Sequence, residues 1–164
     1  MAKFVPFILR VADDSPVGVK IVKMKKSDAV QTEKEPLWQT SWLSDYIQDS
    51  AFEKYALKTN EGELVALAAY EIQKNDVMVH ITYIESQPES NPTIVGHSKK
   101  YTGIGRVLIA YGIKLSIDHA CGGTVTRLKP RSLNWPNTTH EIMVPVPCLV
   151  LAVHPAMSFP ARLQ

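Results

Sequence analysis

Apolar residues along this chain either run together in short blocks or alternate with polar ones, and turn-forming clusters separate the blocks. Phe4 to Val11 is a short apolar run closed by Ala12-Asp13-Asp14-Ser15-Pro16, and Val17 to Met24 alternates as a second strand does. Phe52 to Thr59 sets Phe52, Lys54, Ala56 and Lys58 against Glu53, Tyr55, Leu57 and Thr59, and Asn60-Glu61-Gly62-Glu63 then reads as a hairpin turn. Leu64 to Ile72 is mostly apolar, the pattern of a strand buried on both faces. Lys74-Asn75-Asp76 turns the chain again, and Val77 to Glu85 follows as a further strand. Three consecutive strands with short turns predict an antiparallel meander.

Gln87 to Lys99 is polar, carries Pro88, Asn91, Pro92 and Gly96, and is a loop by composition. From Ile104 the spacing changes: Ile104, Val107, Leu108, Tyr111, Leu115 and Ala120 predict an amphipathic helix of about four turns, stopped by Gly122-Gly123. Thr124-Val125-Thr126 begins another strand, parallel to its predecessor if the helix is a crossover. The stretch Lys26 to Trp42 gives no firm pattern. It fits a helix followed by an ordered loop, with Trp38 and Trp42 read as core plugs ahead of substrate-facing aromatics.

The 164 residues suit one domain with a real core, and 45% hydrophobic with 21% charged residues is ordinary globular composition. A net charge of +2 argues for neither nucleic acid nor a membrane surface as partner. Lys20, Lys23, Lys25 and Lys26 interleave with Ile21, Val22 and Met24, which reads as a solvated strand face, a polyanion site being the alternative. Cys121 and Cys148 match no zinc or redox spacing, so no metal is expected and both are read as reduced thiols of a cytoplasmic protein. The apolar start is too short, and too soon interrupted by Arg10, for a signal peptide. No run approaches the roughly 20 apolar residues of a membrane span.

Candidate chemistry gathers where strand, loop, Lys100-Tyr101-Thr102-Gly103-Ile104-Gly105-Arg106 and helix follow one another. A helix start offers unpaired N–H groups and the positive end of a dipole to a phosphate. Gly103 and Gly105 let a ligand approach the backbone, and Lys100 and Arg106 add cations at either side. A tight loop entry is the bland reading of the same glycines. A Rossmann site is disfavoured because these glycines follow a long loop in a meander, and a P-loop because no Gly-Lys-Ser/Thr follows.

Tyr83-Ile84-Glu85-Ser86, the loop, and Lys100 to Leu108 together resemble motif A of the GNAT N-acetyltransferases, whose pattern is Arg/Gln-x-x-Gly-x-Gly/Ala after the fourth strand. Lys100 replaces the usual Arg or Gln and keeps a donor. The likeness covers roughly Val17 to Leu128. It implies an α/β fold with a mixed, mostly antiparallel sheet flanked by helices, and acetyl-CoA as co-substrate. Backbone amides from Tyr101 through Thr102, Gly103, Ile104 and Gly105 to Arg106 would hold the pyrophosphate, and the pantetheine would pair near Ile84 and Ser86. An acceptor amine would attack the thioester directly, with Glu85 as the candidate general base, a surface salt bridge being the alternative role for Glu85. His80 is read as a core or surface histidine, and His97 as a loop histidine, contact with substrate being its lesser alternative.

The same resemblance demands, after Leu128, a fifth strand, a helix ending in a Tyr-x-x-x-Gly-Phe-like element and a closing hairpin. Instead, six of the eleven prolines fall there: Pro130, Pro136, Pro145, Pro147, Pro155 and Pro160. Our hypothesis is that 129–164 is a frameshifted reading of the missing segment, 1–128 being the family core. In the frame starting on the last base of each codon, Asn134-Trp135 must give Leu, Trp135-Pro136 Ala and Met143-Val144 Gly, where the family's helix wants them. The helix's tyrosine, which donates a proton to the leaving thiolate in many relatives, would then be lost, and Thr138 and Thr139 are poorer donors. Sequencing the coding DNA around Thr126 to Lys129 tests this, and early stops in the alternative frame would sink it.

The expected activity is therefore acetyl transfer from acetyl-CoA to a primary amine of an unidentified acceptor. The alternatives are an inactivated remnant that at most binds CoA, and an unrelated phosphate-binding module. The oligomeric state, a homodimer included, stays open.

Overall fold

The computed structural model describes residues 4–94, 96 and 98–127. The expectations for His97, for Cys148 and for the segment 129–164 lie outside the described residues.

Among the described residues, seven strands and three α-helices follow in the order β1 (Phe7–Arg10), β2 (Pro16–Lys23), α1 (Lys26–Gln31), α2 (Asp45–Gln48), β3 (Phe52–Thr59), β4 (Leu64–Gln73), β5 (Met78–Ser86), β6 (Tyr101–Thr102), α3 (Ile104–Asp118) and β7 (Val125–Arg127). The strands form one sheet in the order β6-β1-β2-β3-β4-β5-β7. Every pairing is antiparallel except β5 with β7, which is parallel. The expected mixed, mostly antiparallel α/β architecture is the one observed. The meander β3-β4-β5 stands where the alternating and apolar blocks placed it, because each block is bounded by a turn that fixes its register.

β4 is the centre of the molecule. Leu64 to Tyr70 are all buried, as a strand covered on both faces requires. Val65, Ala68 and Tyr70 join the core under α3, with Leu57, Val79, Ile81, Leu108 and Ile113. Leu64, Leu67 and Ala69 join the opposite core with Ala29, Trp42 and Ile47 from the α1–α2 segment. Trp42 is fully buried, so it is a core plug. Helix α3 leaves β6 at one edge of the sheet and returns to β7 at the other, packing mainly on β5 and β4 along the way. Gly112 permits that approach, since a Cβ there would stand 3.2 Å from the Tyr70 ring. The Tyr70 hydroxyl donates to the Leu108 carbonyl at 2.8 Å and fixes the crossing.

Two details differ from expectation. The α3 stop is not made by Gly122-Gly123: the left-handed residue is Ala120, with φ 59°. The Ala120 N–H donates to Ile117 and the Cys121 N–H to Ser116, the paired bonds of a Schellman motif. Gly122 and Gly123, both at positive φ, shape the turn into β7 instead. The second difference is β6, whose Tyr101 and Thr102 pair with Arg10 and Leu9, so the start of the glycine segment is an edge strand as well as a loop. No helix among the described residues is long and apolar enough to cross a membrane.

Candidate active site

Gly103 caps the start of α3 with φ 87°, a left-handed conformation that a side chain would strain. The first bond of the helix runs from the Val107 N–H to the Gly103 carbonyl at 3.2 Å. The N–H groups of Gly103, Ile104, Gly105 and Arg106 have no partner among the described residues. Nothing lies within 4 Å of where a Cβ would sit on Gly103 or Gly105, so the backbone there is open. Arg106 is exposed and makes no ion pair among the described residues. Ile104 points the other way and is buried in the core. The arrangement offers four donors and a helix dipole to an anion.

Lys100 does not stand clear beside this opening. Its ammonium donates to Glu63 Oε1 at 2.6 Å, while the Tyr101 hydroxyl donates to Glu63 Oε2 at 2.8 Å. Partial burial works against the Glu63 charge, but bonds from Lys100, Tyr101 and Gln87 together hold its carboxyl below the ordinary value. Lys100 is held above its ordinary value by the same Glu63 contact. Glu63 thus clamps the base of the glycine segment to the β3–β4 turn, a role that its place in a polar hairpin did not announce.

The segment is also tied to the end of β5. The Lys100 N–H donates to the Glu89 carbonyl at 2.9 Å and the Tyr101 N–H to Ser90 Oγ at 3.1 Å, both within the short 3-10 turn Pro88–Ser90. β5 pairs with β7 at Val79, His80 and Ile81, and among the described residues nothing pairs with that edge from Thr82 onward. A β-bulge falls at the same place. Ala69 faces Tyr83 and Tyr70 faces Ile81, leaving Thr82 as the extra residue. Thr82 Oγ1 is buried with no hydrogen-bond partner among the described residues. Ile84 and Ser86 lie on this edge, Ile84 half-buried and Ser86 buried. An open strand edge therefore leads toward an open helix start.

Glu85 is buried and faces the α1–α2 side, so it is no surface ion pair. Its Oε1 accepts the Gln39 N–H at 2.6 Å and the Thr40 N–H at 3.3 Å, and its Oε2 accepts Trp42 Nε1–H at 2.9 Å. Burial raises the carboxyl above its ordinary value, against the opposing pull of Trp42, Gln39 and Thr40. With about four lone-pair sites on a carboxylate and three in use, one on Oε2 remains for another donor. Tyr83, two residues back on the same face, shares a hydroxyl hydrogen bond with Thr40 and packs edge-on against Trp42. Gln39 extends the network by accepting from Asn91 and Thr93. Trp42 carried a sequence signal, being one of three tryptophans, whereas Gln39 and Thr40 carried none.

His80 is placed elsewhere. Its Nδ1 meets Thr126 Oγ1 at 2.6 Å across the β5–β7 pair, and burial lowers its pKa.

No protein-family model matches the chain, and no curated protein does. Among solved structures, one similar to it is the crystal structure of nourseothricin acetyltransferase, with 13% identity and a TM-score of 0.38. The match takes in 75% of this chain and 58% of that one, so the chain spans less than two thirds of that structure's length.

Proposed function

We propose that this protein transfers an acetyl group from acetyl-CoA to a primary amine. One observation carries the reading: among the described residues, the outer edge of β5 from Thr82 to Ser86 has no strand partner and runs toward four unpartnered N–H groups at the start of α3. An elongated ligand with an extended amide-bearing arm and a diphosphate fits that pair of features, the arm adding to the strand edge and the phosphates resting on the helix start. Arg106 adds a cation at the opening. Lys100 supports it from behind, through Glu63, rather than by direct contact.

The reaction is an acyl transfer without an acyl-enzyme. The amine nitrogen forms a bond to the thioester carbon, the C–S bond breaks, and the sulfur leaves as thiolate. Glu85 takes the amine proton through its remaining Oε2 lone pair, directly or through one water, and its raised pKa brings it nearer the working pH of a general base. The thiolate takes up a proton to leave as CoA.

Thermal unfolding with CoA and with ATP tests the binding step. Stabilisation by CoA, about 2.7 kcal/mol at a hundredfold excess over Kd, and none by ATP, is expected. Equal stabilisation by both would replace this reading with a general phosphate site. Thiol release across a panel of amines tests turnover, and CoA binding with no release above background would make the chain a binding remnant.

A further inference from the structure

We propose that Glu63 and Gln87 are positioning residues. Together they fix the distance between the open edge of β5 and the start of α3, and with it the affinity for a ligand that spans both. The inference rests on the acyl-transfer reading above for the identity of that ligand, CoA. It goes further in naming what holds the two halves of the site in register.

The chain alone does not set that distance. Ser86 ends β5, Gly103 caps α3, and residues 87–102 lie between them. Bringing the ends of such a segment together costs entropy, which contacts across it must offset. Glu63 supplies those contacts from a fixed base. Its N–H donates to Thr59 Oγ1 at 3.2 Å and its carbonyl accepts the Thr59 N–H at 2.9 Å, directly before buried Leu64 opens β4. From there its Oε1 accepts Gln87 Nε2 at 3.2 Å and Lys100 Nζ at 2.6 Å, and its Oε2 accepts the Tyr101 hydroxyl at 2.8 Å.

Gln87 is the residue after Ser86. It is buried, and its own N–H donates to the Val65 carbonyl at 2.8 Å, which carries the contact with β4 one step past the strand. Lys100 and Tyr101 lead into Gly103. One carboxylate on the β3–β4 turn therefore holds the end of the strand edge and the approach to the helix start at once. A second path joins the same two segments: Gln87 Nε2 stands 3.5 Å from Ser90 Oγ, which accepts the Tyr101 N–H at 3.1 Å. Charge gives this role a signature. A carboxylate near a diphosphate repels it, so by charge alone Glu63→Gln should tighten the binding of phosphates. Positioning predicts the opposite for CoA. Each half of the ligand still meets its own subsite, but the two subsites no longer match the ligand's span, and the gain from linking the halves is lost.

Calorimetric titration of the full chain tests this with CoA and with its two halves, pantetheine and adenosine 3′-phosphate 5′-diphosphate. Glu63→Gln should bind CoA at least about tenfold more weakly than wild type, yet bind each half within about twofold of wild type. Gln87→Met keeps the buried volume and the Glu63 charge and should show the same split, so the test survives if Glu63→Gln folds poorly. CoA binding undiminished in both variants, or CoA and its halves weakened alike, would overturn the proposal. Hydrogen exchange at saturating CoA gives a second readout that a mere loss of stability would not move. Wild type should be protected at Thr82 to Ser86 and at Gly103 to Arg106 together, and the variants at one of the two segments. Protection of both segments in both variants would also overturn it. The acyl-transfer reading fails separately: a wild-type chain that does not bind CoA removes that reading and the positioning role with it, whereas CoA binding that ignores both substitutions removes the positioning role alone.

Discussion

Glu63 and Glu85 are both buried to some degree, and their environments push them in opposite directions. Glu63 answers two donors beside the glycine segment and is held below the ordinary carboxyl value of 4.5. The folded state therefore binds its proton less readily than the unfolded chain, so its stabilising share is present above about pH 4.5 and fades as pH falls through the lowered value. Glu63→Gln should cost about 1 kcal/mol or less near neutrality, since a third of the side chain is exposed, and progressively less as pH falls below 4.5. Urea unfolding of both proteins across that range measures it, and a gap that widens in acid would refute the clamp. Glu85 has the opposite sign. Its folded value is raised, so the fold favours its protonated form, and its contribution declines as pH climbs from the ordinary value through the raised one. Trp42→Phe removes the donor on Oε2 and should move the acid limb of the kcat/KM profile to higher pH. Glu85→Gln should remove the limb and lower kcat at least a hundredfold. An acid limb that survives Glu85→Gln belongs to another group.

At the level of elements, the alternation in Phe52 to Thr59 and the apolar run from Leu64 to Ile72 were legible because each reports which face of a strand meets a core. Ile104 to Asp118 was legible for the same reason at helical spacing. What periodicity did not reveal is what backbone geometry decides. β6 is two residues long, too short to show a period, and the Schellman turn uses Ala120 where glycine is the easy choice. Ala120→Gly should accordingly raise stability by about 1 kcal/mol, read as a higher Tm. The two glycines of the candidate site separate fold from function. Gly103→Ala forces a side chain into φ 87° and should destabilise the apo protein by about 1–2 kcal/mol. Gly105 is helical with open space around it, so Gly105→Ala should stabilise the apo protein by about 0.5–1 kcal/mol. The new methyl group nevertheless stands where a phosphate would approach, and CoA affinity should fall at least tenfold. A Gly105→Ala protein that binds CoA as well as wild type would remove the helix start from the site.

Across the whole molecule, the order of strands brings together residues that the sequence keeps apart. The glycine segment and Glu85 were visible as separate marks, but the connection between them runs through tertiary contacts. Gln39, from a stretch with no period, reaches Glu85 on β5, and Glu63, from a turn, reaches Lys100 on the edge. Such contacts join residues 37 to 46 positions apart, and no local pattern encodes them. The layout also sets where motion and ligand protection should fall. β4 is paired on both sides and covered on both faces, so its amides should exchange slowest, near the free energy of global unfolding. β6 is an edge strand of two residues, the N–H groups that follow it have no partner among the described residues, and both should exchange fast in the apo protein. If acetyl-CoA adds to the β5 edge and rests its diphosphate on α3, it should slow exchange at Thr82 to Ser86 and at Gly103 to Arg106 while leaving β2 and β3 unchanged. Protection confined to the helix start would mean that the ligand's phosphates bind and its arm does not. Uniform slowing across β2 to β5 would mean that CoA acts on global stability alone, and the assembled site would then have to be abandoned.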